Sequence, residues 1–154
     1  MDTPTHNRFA YHFEPKTGWE AGWLYHQPSG MRRRFLWAPD LLHHGRRIMI
    51  GWMYHWGKTA PEGCPYAGAL SIPRELRLEE NAVYNYPEEE VRHLLKSASA
   101  YVRTEGNTLF LKTIAGEWTE RQLPAINSVE ILEDTKSVEV FVNGGEFSFT
   151  HWLV

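Results

Sequence analysis

Ser137-Val138-Glu139-Val140-Phe141-Val142-Asn143-Gly144-Gly145-Glu146-Phe147-Ser148-Phe149-Thr150-His151-Trp152 is the stretch that decides the fold class. Two strand-forming runs flank Asn-Gly-Gly, residues that tolerate the positive φ values of a tight hairpin turn. With Asn143-Gly144 at the centre of a type I′ turn, Val142 faces Gly145, Val140 faces Phe147 and Val138 faces Phe149. Centring the loop on Gly144-Gly145 moves the pairing by two and leaves the same side chains on one face. That face is core, and the segment is an antiparallel hairpin.

Working upstream, residues 108–114, 118–123 and 129–132 read as further strands, so 98–154 is a run of successive antiparallel strands. Residues 57–97 carry Pro61, Pro65, Pro73, Gly57, Gly63 and Gly68, which break long regular elements. The exception is Pro87-Glu88-Glu89-Glu90-Val91-Arg92-His93-Leu94-Leu95-Lys96. Proline followed by acids opens a first turn, and Val91, Leu94 and Leu95 fall at i, i+3 and i+4, so a short helix is expected. The first 60 or so residues are crowded with aromatic side chains and hold five of the seven tryptophans. Within them Arg46-Arg47-Ile48-Met49-Ile50-Gly51-Trp52-Met53 reads as a mostly buried strand, with Leu41-Leu42 in its hairpin partner. No internal repeat or low-complexity tract is visible.

Composition narrows the function. The chain has 154 residues, 42% of them hydrophobic and 23% charged, which suits one apolar core. A formal charge of −3 lacks the cationic field of a nucleic-acid binder. The longest apolar runs fall far short of the ~20 residues that span a bilayer, so no membrane partner is expected. Residues 1–8 are polar and show no secretory h-region, and Cys64 is the single cysteine, so a cytoplasmic address with a free thiol is expected. His43-His44 point to opposite faces of a strand, and no zinc-ligand spacing occurs, so neither metal nor cofactor is expected. Arg32-Arg33-Arg34 reads as a solvated charge run.

Two segments resemble glycoside hydrolase family 32, the β-fructosidases that include invertase, levanase and sucrose-6-phosphate hydrolase. The first is Phe35-Leu36-Trp37-Ala38-Pro39-Asp40, then 45–53, then Gly68-Ala69-Leu70-Ser71-Ile72-Pro73-Arg74-Glu75-Leu76, which is similar to the closing blade of the family's five-bladed propeller. The second is the hairpin 137–146, similar to the last hairpin of the β-sandwich behind that propeller. Tyr11-His12-Phe13-Glu14-Pro15-Lys16-Thr17-Gly18-Trp19 resembles the family's opening segment. There the likeness to the catalytic machinery ends. Where the family continues Asn-Asp-Pro, with the Asp as nucleophile, this chain has Glu20-Ala21-Gly22. The Arg-Asp-Pro and Glu-Cys motifs are absent, and Glu62-Gly63-Cys64 lies in a different loop from the family's acid/base. Five blades of ~40–50 residues do not fit in this length. The resemblance therefore implies a family-32 chain with its middle deleted.

What this implies is an all-β fold in which a remnant of the closing propeller blade is joined by a short helix to a shortened antiparallel β-sandwich. The expected division is 1–83 propeller-derived, 84–97 linker with the helix, and 98–154 sandwich. Retaining glycoside hydrolysis needs two carboxyl groups ~5–5.5 Å apart. Asp40, Glu20 and Glu62 are the candidate substitutes, each otherwise a solvated or capping acid, so no catalytic residue is assigned. Trp37 and Trp56 match family positions lining the sugar pocket. With Asp40 they are the candidate substrate-binding residues, since flat rings stack on the CH-rich face of a sugar; the competing reading of both rings is core packing. The leading expectation is an inactive β-fructosidase relative that binds a neutral sugar or fructan weakly. The alternatives are an active hydrolase using substitute carboxylates and a strand-edge oligomerisation module. Loss of neighbouring blades exposes strand edges, so a homodimer is expected.

Overall fold

The structure is a computed structural model that describes residues 8–13, 19–25, 40–43, 46–51, 53, 69–79, 82–113 and 115–152, the first three stretches as backbone. Twelve strands are described, in the order β1 (Arg8–Phe13), β2 (Trp19–Tyr25), β3 (Asp40–His43), β4 (Arg46–Met49), β5 (Arg74–Glu79) and β6 (Ala82–Pro87). A 3₁₀ turn (Glu89–Leu94) follows, then β7 (Val102–Glu105), β8 (Thr108–Lys112), β9 (Trp118–Gln122), β10 (Val129–Glu133), β11 (Ser137–Val142) and β12 (Phe147–Trp152). The fold is all-β. The strands form three antiparallel sheets, ordered β1-β2-β12-β11-β10, β3-β4-β5-β6 and β7-β8-β9. No described helix is long and apolar enough to cross a membrane.

The five-stranded sheet is the middle layer, and the hairpin β11–β12 is its centre. Val138, Val140 and Val142 turn to one side and pack with Phe149, Ile131, Leu109, Leu111, Val102 and Leu123 against β7–β9. This is the sandwich core expected from the sequence; fully burying a side chain of this kind contributes about 1.5–3 kcal/mol. Glu139 and Phe141 alternate onto the opposite side and are equally buried, because the sheet β3–β6 covers that side. Every residue of β11 is consequently buried. The observed register pairs Val142 with Phe147, Val140 with Phe149 and Val138 with His151. It is the second of the two registers that the sequence allows, two residues from the Asn143-Gly144-centred pairing. Asn143 and Gly144 do take positive φ, of 53° and 66°, but Gly145 follows at 93°, so the loop holds four residues between the paired Val142 and Phe147.

The sheet β3–β6 is a four-stranded meander, the topology of one propeller blade. Its β3–β4 pairing sets Leu41 opposite Ile48 and Leu42 opposite Arg47, as the sequence indicates. The β1–β2 hairpin joins the middle sheet through the pairing of β2 with β12. Strand β6 crosses position 83, the boundary drawn from the sequence.

The connecting helix is shorter than its sequence suggests. Pro87 does not open it; Pro87 ends β6, paired with Arg74, and the helical turn begins at Glu89 with 3₁₀ geometry. None of its residues is buried, and Leu94 is 49% exposed. With three residues per turn, Val91 and Leu94 stack in line along one edge and form no α-type apolar face. The turn is closed by Arg92 Nε donating to the Pro87 carbonyl at 2.9 Å, and Lys96 then pairs with Ile131. Strand β7 is not foreseen in the sequence reading, although Gly106-Asn107 between Glu105 and Thr108 is a two-residue hairpin signal.

Candidate functional site

The Ile72-Pro73-Arg74-Glu75 segment and the β11–β12 hairpin meet face to face. Arg74, in Ile72-Pro73-Arg74-Glu75, sits mid-blade, opposite Met49 on one side and Pro87 on the other. Its side chain leaves the blade for the middle sheet, where Nε donates to Glu139 Oε2 at 3.0 Å and Nη2 donates to the same oxygen. Nη2 also donates to Thr150 Oγ1 at 2.7 Å, and the backbone N–H of Ile72 donates to Glu139 Oε1 at 2.8 Å. The guanidinium lies 4.9 Å from the centroid of Phe141. Both partners are essentially inaccessible, at 0% and 1% side-chain exposure. With both oxygens engaged by Arg74 and the Ile72 amide in a dry setting, the Glu139 carboxylate fastens the two layers together.

A polar seam flanks this pair. Asn85 Nδ2 donates to Ser148 Oγ at 3.3 Å, and the Tyr86 hydroxyl donates to Glu130 Oε2 at 2.6 Å. Burial, then the hydrogen bond to Glu130 and its negative charge, push the Tyr86 phenol up to about 12. Gly145 nests against the same strand; a Cβ there would lie 2.5 Å from the Asn85 carbonyl oxygen.

On the blade's flank, Arg46 Nη1 donates to Glu88 Oε2 at 2.6 Å, and its Nη2 reaches Glu90 Oε1 at 3.4 Å. Burial and a hydrogen bond with Glu90 hold the Glu88 carboxyl above its ordinary range, against the opposing charge of Arg46. Glu90 is shifted below, first by a backbone hydrogen bond and then by the bond with Glu88. Opposite shifts on adjacent carboxyls are the mark of an acid/base pair. Here the Arg46 fork ties both to β4, and the arrangement anchors the 3₁₀ turn to the blade.

Asp40 opens β3 opposite Met49, so Asp40, Met49, Arg74 and Pro87 form one register row across the blade. Glu20 lies in β2 between Phe13 and Thr150, in the middle sheet. The structure therefore sets these two carboxyl-bearing positions in different sheets. Trp37, Trp56, Glu62 and Cys64 lie outside the described residues. No group of three or more metal-ligating side chains occurs among the described residues. Sequence reasoning did not single out Arg74 and Glu139; the available signal was a charged residue inside the apolar run Val138-Glu139-Val140-Phe141-Val142.

Residues 36–87 match the model of the glycosyl hydrolases family 32 N-terminal domain. Over this segment the likeness is to family 32. The matched segment coincides with the blade, which runs from Asp40 to Pro87. Among solved structures, a GH32 β-fructofuranosidase of Bombyx mori, BmSUC1, superposes with a TM-score of 0.54 at 14% identity, over 75% of this chain and 37% of that one. A glycoside hydrolase family 32 structure from Bifidobacterium adolescentis gives a TM-score of 0.55 at 16% identity, over 94% of this chain and 36% of that one. The chain described here spans little more than a third of the length of either. No curated protein matches it.

Proposed function

We propose that this chain is a non-hydrolysing relative of the β-fructofuranosidases, a family-32 blade and sandwich from which the intervening blades are deleted, and that it retains weak recognition of a neutral sugar or fructan. One observation carries the reading. The family segments stand in order in the sequence, yet the Asn-Asp-Pro, Arg-Asp-Pro and Glu-Cys motifs are all missing from between and around them. Losing nucleophile, transition-state carboxylate and general acid removes contributions each worth orders of magnitude in rate. The buried carboxylates that are described support it further, since Glu139 and Glu88 are committed to Arg74 and Arg46.

The test is turnover of sucrose, inulin and levan by the purified chain, with sugar binding followed by titration. Rates well below the ordinary ~1–10³ s⁻¹, together with a saturable component of binding that Trp56→Ala removes, are expected. Turnover in that range, abolished by Asp40→Asn, overturns the reading in favour of a hydrolase with substitute carboxylates. We propose a cytoplasmic setting, in keeping with the single cysteine.

A second reading, self-association into a two-fold dimer, draws on the strand edges. Among the described residues β1 pairs only with β2 and β3 only with β4, which leaves one backbone edge of each open for pairing. Light scattering across a concentration series is expected to give twice the chain mass; a monomer at every concentration removes this reading.

A further inference from the structure

The outer face of β7–β9 is built unlike an ordinary solvated sheet surface. Val102, Leu109 and Leu111 point inward to the core, so Arg103, Phe110 and Trp118 share the opposite face. The Arg103 guanidinium lies 4.6 Å from the Phe110 centroid and 4.7 Å from that of Trp118, and Lys112 Nζ lies 5.9 Å from the latter. Such stacking fixes the orientation of the rings and of the guanidinium fork. Yet the Arg103 guanidinium forms no hydrogen bond or ion pair with a described residue, and Trp118 remains 38% exposed. Among the described residues the face therefore presents an oriented donor fork without a polar partner beside a partly open indole.

We infer that this face is a second carbohydrate surface, which takes a neutral oligosaccharide across Trp118 with Arg103 donating to its hydroxyls. The inference rests on the carbohydrate reading above, but at a different place in the fold. Charge argues for a neutral ligand: Arg103 and Lys112 are balanced by Glu105 and Glu120 on the same face, so neither an anion nor a cation is selected. Size argues against a second copy of the chain. Three strands ~4.8 Å apart and five residues long offer roughly 10 Å by 17 Å. That is well under the ~800 Å² per partner of a stable protein interface. A few sugar rings need no more. Aromatic surface for their CH-rich faces and directional donors and acceptors for their hydroxyls are the groups such a ligand uses.

The experiment is an NMR titration of the full chain with a neutral inulin-type fructo-oligosaccharide. Fructose 6-phosphate serves as the anionic probe, and light scattering is measured on the same samples. The indole N–H of Trp118 and the Nε–H of Arg103 are expected to shift saturably, with Trp118→Ala and Arg103→Ala each weakening binding by about tenfold or more, and Trp118→Tyr by much less. Binding unchanged in Trp118→Ala and in Arg103→Ala overturns the inference. So does preferential binding of fructose 6-phosphate at Arg103, or a doubling of mass that Trp118→Ala abolishes. Binding lost in Trp56→Ala alone overturns this surface and leaves the first site standing, whereas absence of any binding by the unaltered chain overturns both.

Discussion

Arg74 and Glu139, 65 residues apart in sequence, form an essentially solvent-free ion pair that joins the blade to the middle sheet. Each belongs to a motif whose relation to the other is invisible in one dimension. The Ile72 amide, Thr150 hydroxyl and Phe141 ring complete its surroundings, so neither charge faces an apolar wall alone.

Removing one member strands the other. Arg74→Ala or Glu139→Gln is expected to cost about 3–5 kcal/mol, because the remaining group loses its counter-charge in a dry setting. The double variant Arg74→Met with Glu139→Leu is expected to cost less than either single change, since no uncompensated charge remains. Urea unfolding midpoints at constant m give these differences. Single losses under about 1 kcal/mol show that water enters the pair and that it does not hold the layers together.

Gly145 and Gly106 separate two effects that usually travel together. Both have positive φ, 93° and 56°, but only Gly145 has the backbone of Asn85 where a Cβ would go. Gly106→Ala is expected to cost about 1 kcal/mol for left-handed backbone alone. Gly145→Ala must also push β6 from the hairpin, and a loss of about 2–4 kcal/mol is expected from strain plus displaced packing. Equal losses in thermal unfolding contradict the close approach.

The sheets were legible where one side chain period met one environment. The valines of β11 and the turn after them announce the sandwich core. The apolar run at Ile48-Met49 beside Leu41-Leu42 announces the first hairpin of the blade. What could not be read was the second cover on β11: Glu139 reads as a solvent-facing alternation until a second sheet brings Arg74 to it. The helix misled for a related reason. Val91, Leu94 and Leu95 have α-helical spacing, but β6 runs on through Pro87 and Lys96 is already paired with Ile131, and the short segment between them takes 3₁₀ geometry. Of the candidate site residues, Asp40 and Glu20 are the two whose place in the sheets is described, and neither register position follows from the sequence motif that drew attention to it.

Tyr86 supplies a pH-dependent readout. Its phenol is raised to about 12 by burial and by the Glu130 carboxylate that it donates to, so the folded state favours the protonated form. The associated stability is full below the unfolded value of about 10 and is lost as pH climbs from there to about 12. An alkaline titration of phenolate absorbance is expected to show one late component that Tyr86→Phe removes, with the variant keeping the edge-on ring contact to Phe141 at 5.9 Å. Ionisation of every tyrosine at the ordinary value is inconsistent with the Tyr86–Glu130 bond.

Asn143 does two jobs at the head of the hairpin, and its variants should divide them. Its φ of 53° is one that asparagine and glycine accept more readily than other residues. Its side chain meanwhile ties down the loop before β10: Oδ1 accepts from the amides of Asn127 at 2.8 Å and Ser128 at 3.3 Å, while Nδ2 donates to the Ala125 carbonyl at 3.0 Å and to Glu146 Oε2 at 2.9 Å. Asn143→Gly keeps the backbone conformation and deletes all four bonds. Because the Asn127 and Ser128 amides are exposed, water replaces part of what is lost, and a cost of about 1–2 kcal/mol is expected. Asn143→Ala deletes the same bonds and adds the left-handed strain, so it should be worse than the glycine variant by about 1 kcal/mol. Hydrogen exchange separates the two contributions. Exchange at the Asn127 amide should accelerate equally in both variants, since both lose the acceptor, while the global unfolding free energy should fall further for alanine. If that amide exchanges in Asn143→Gly as slowly as in the parent chain, the loop is held by its own backbone and the Asn143 side chain does not organise it.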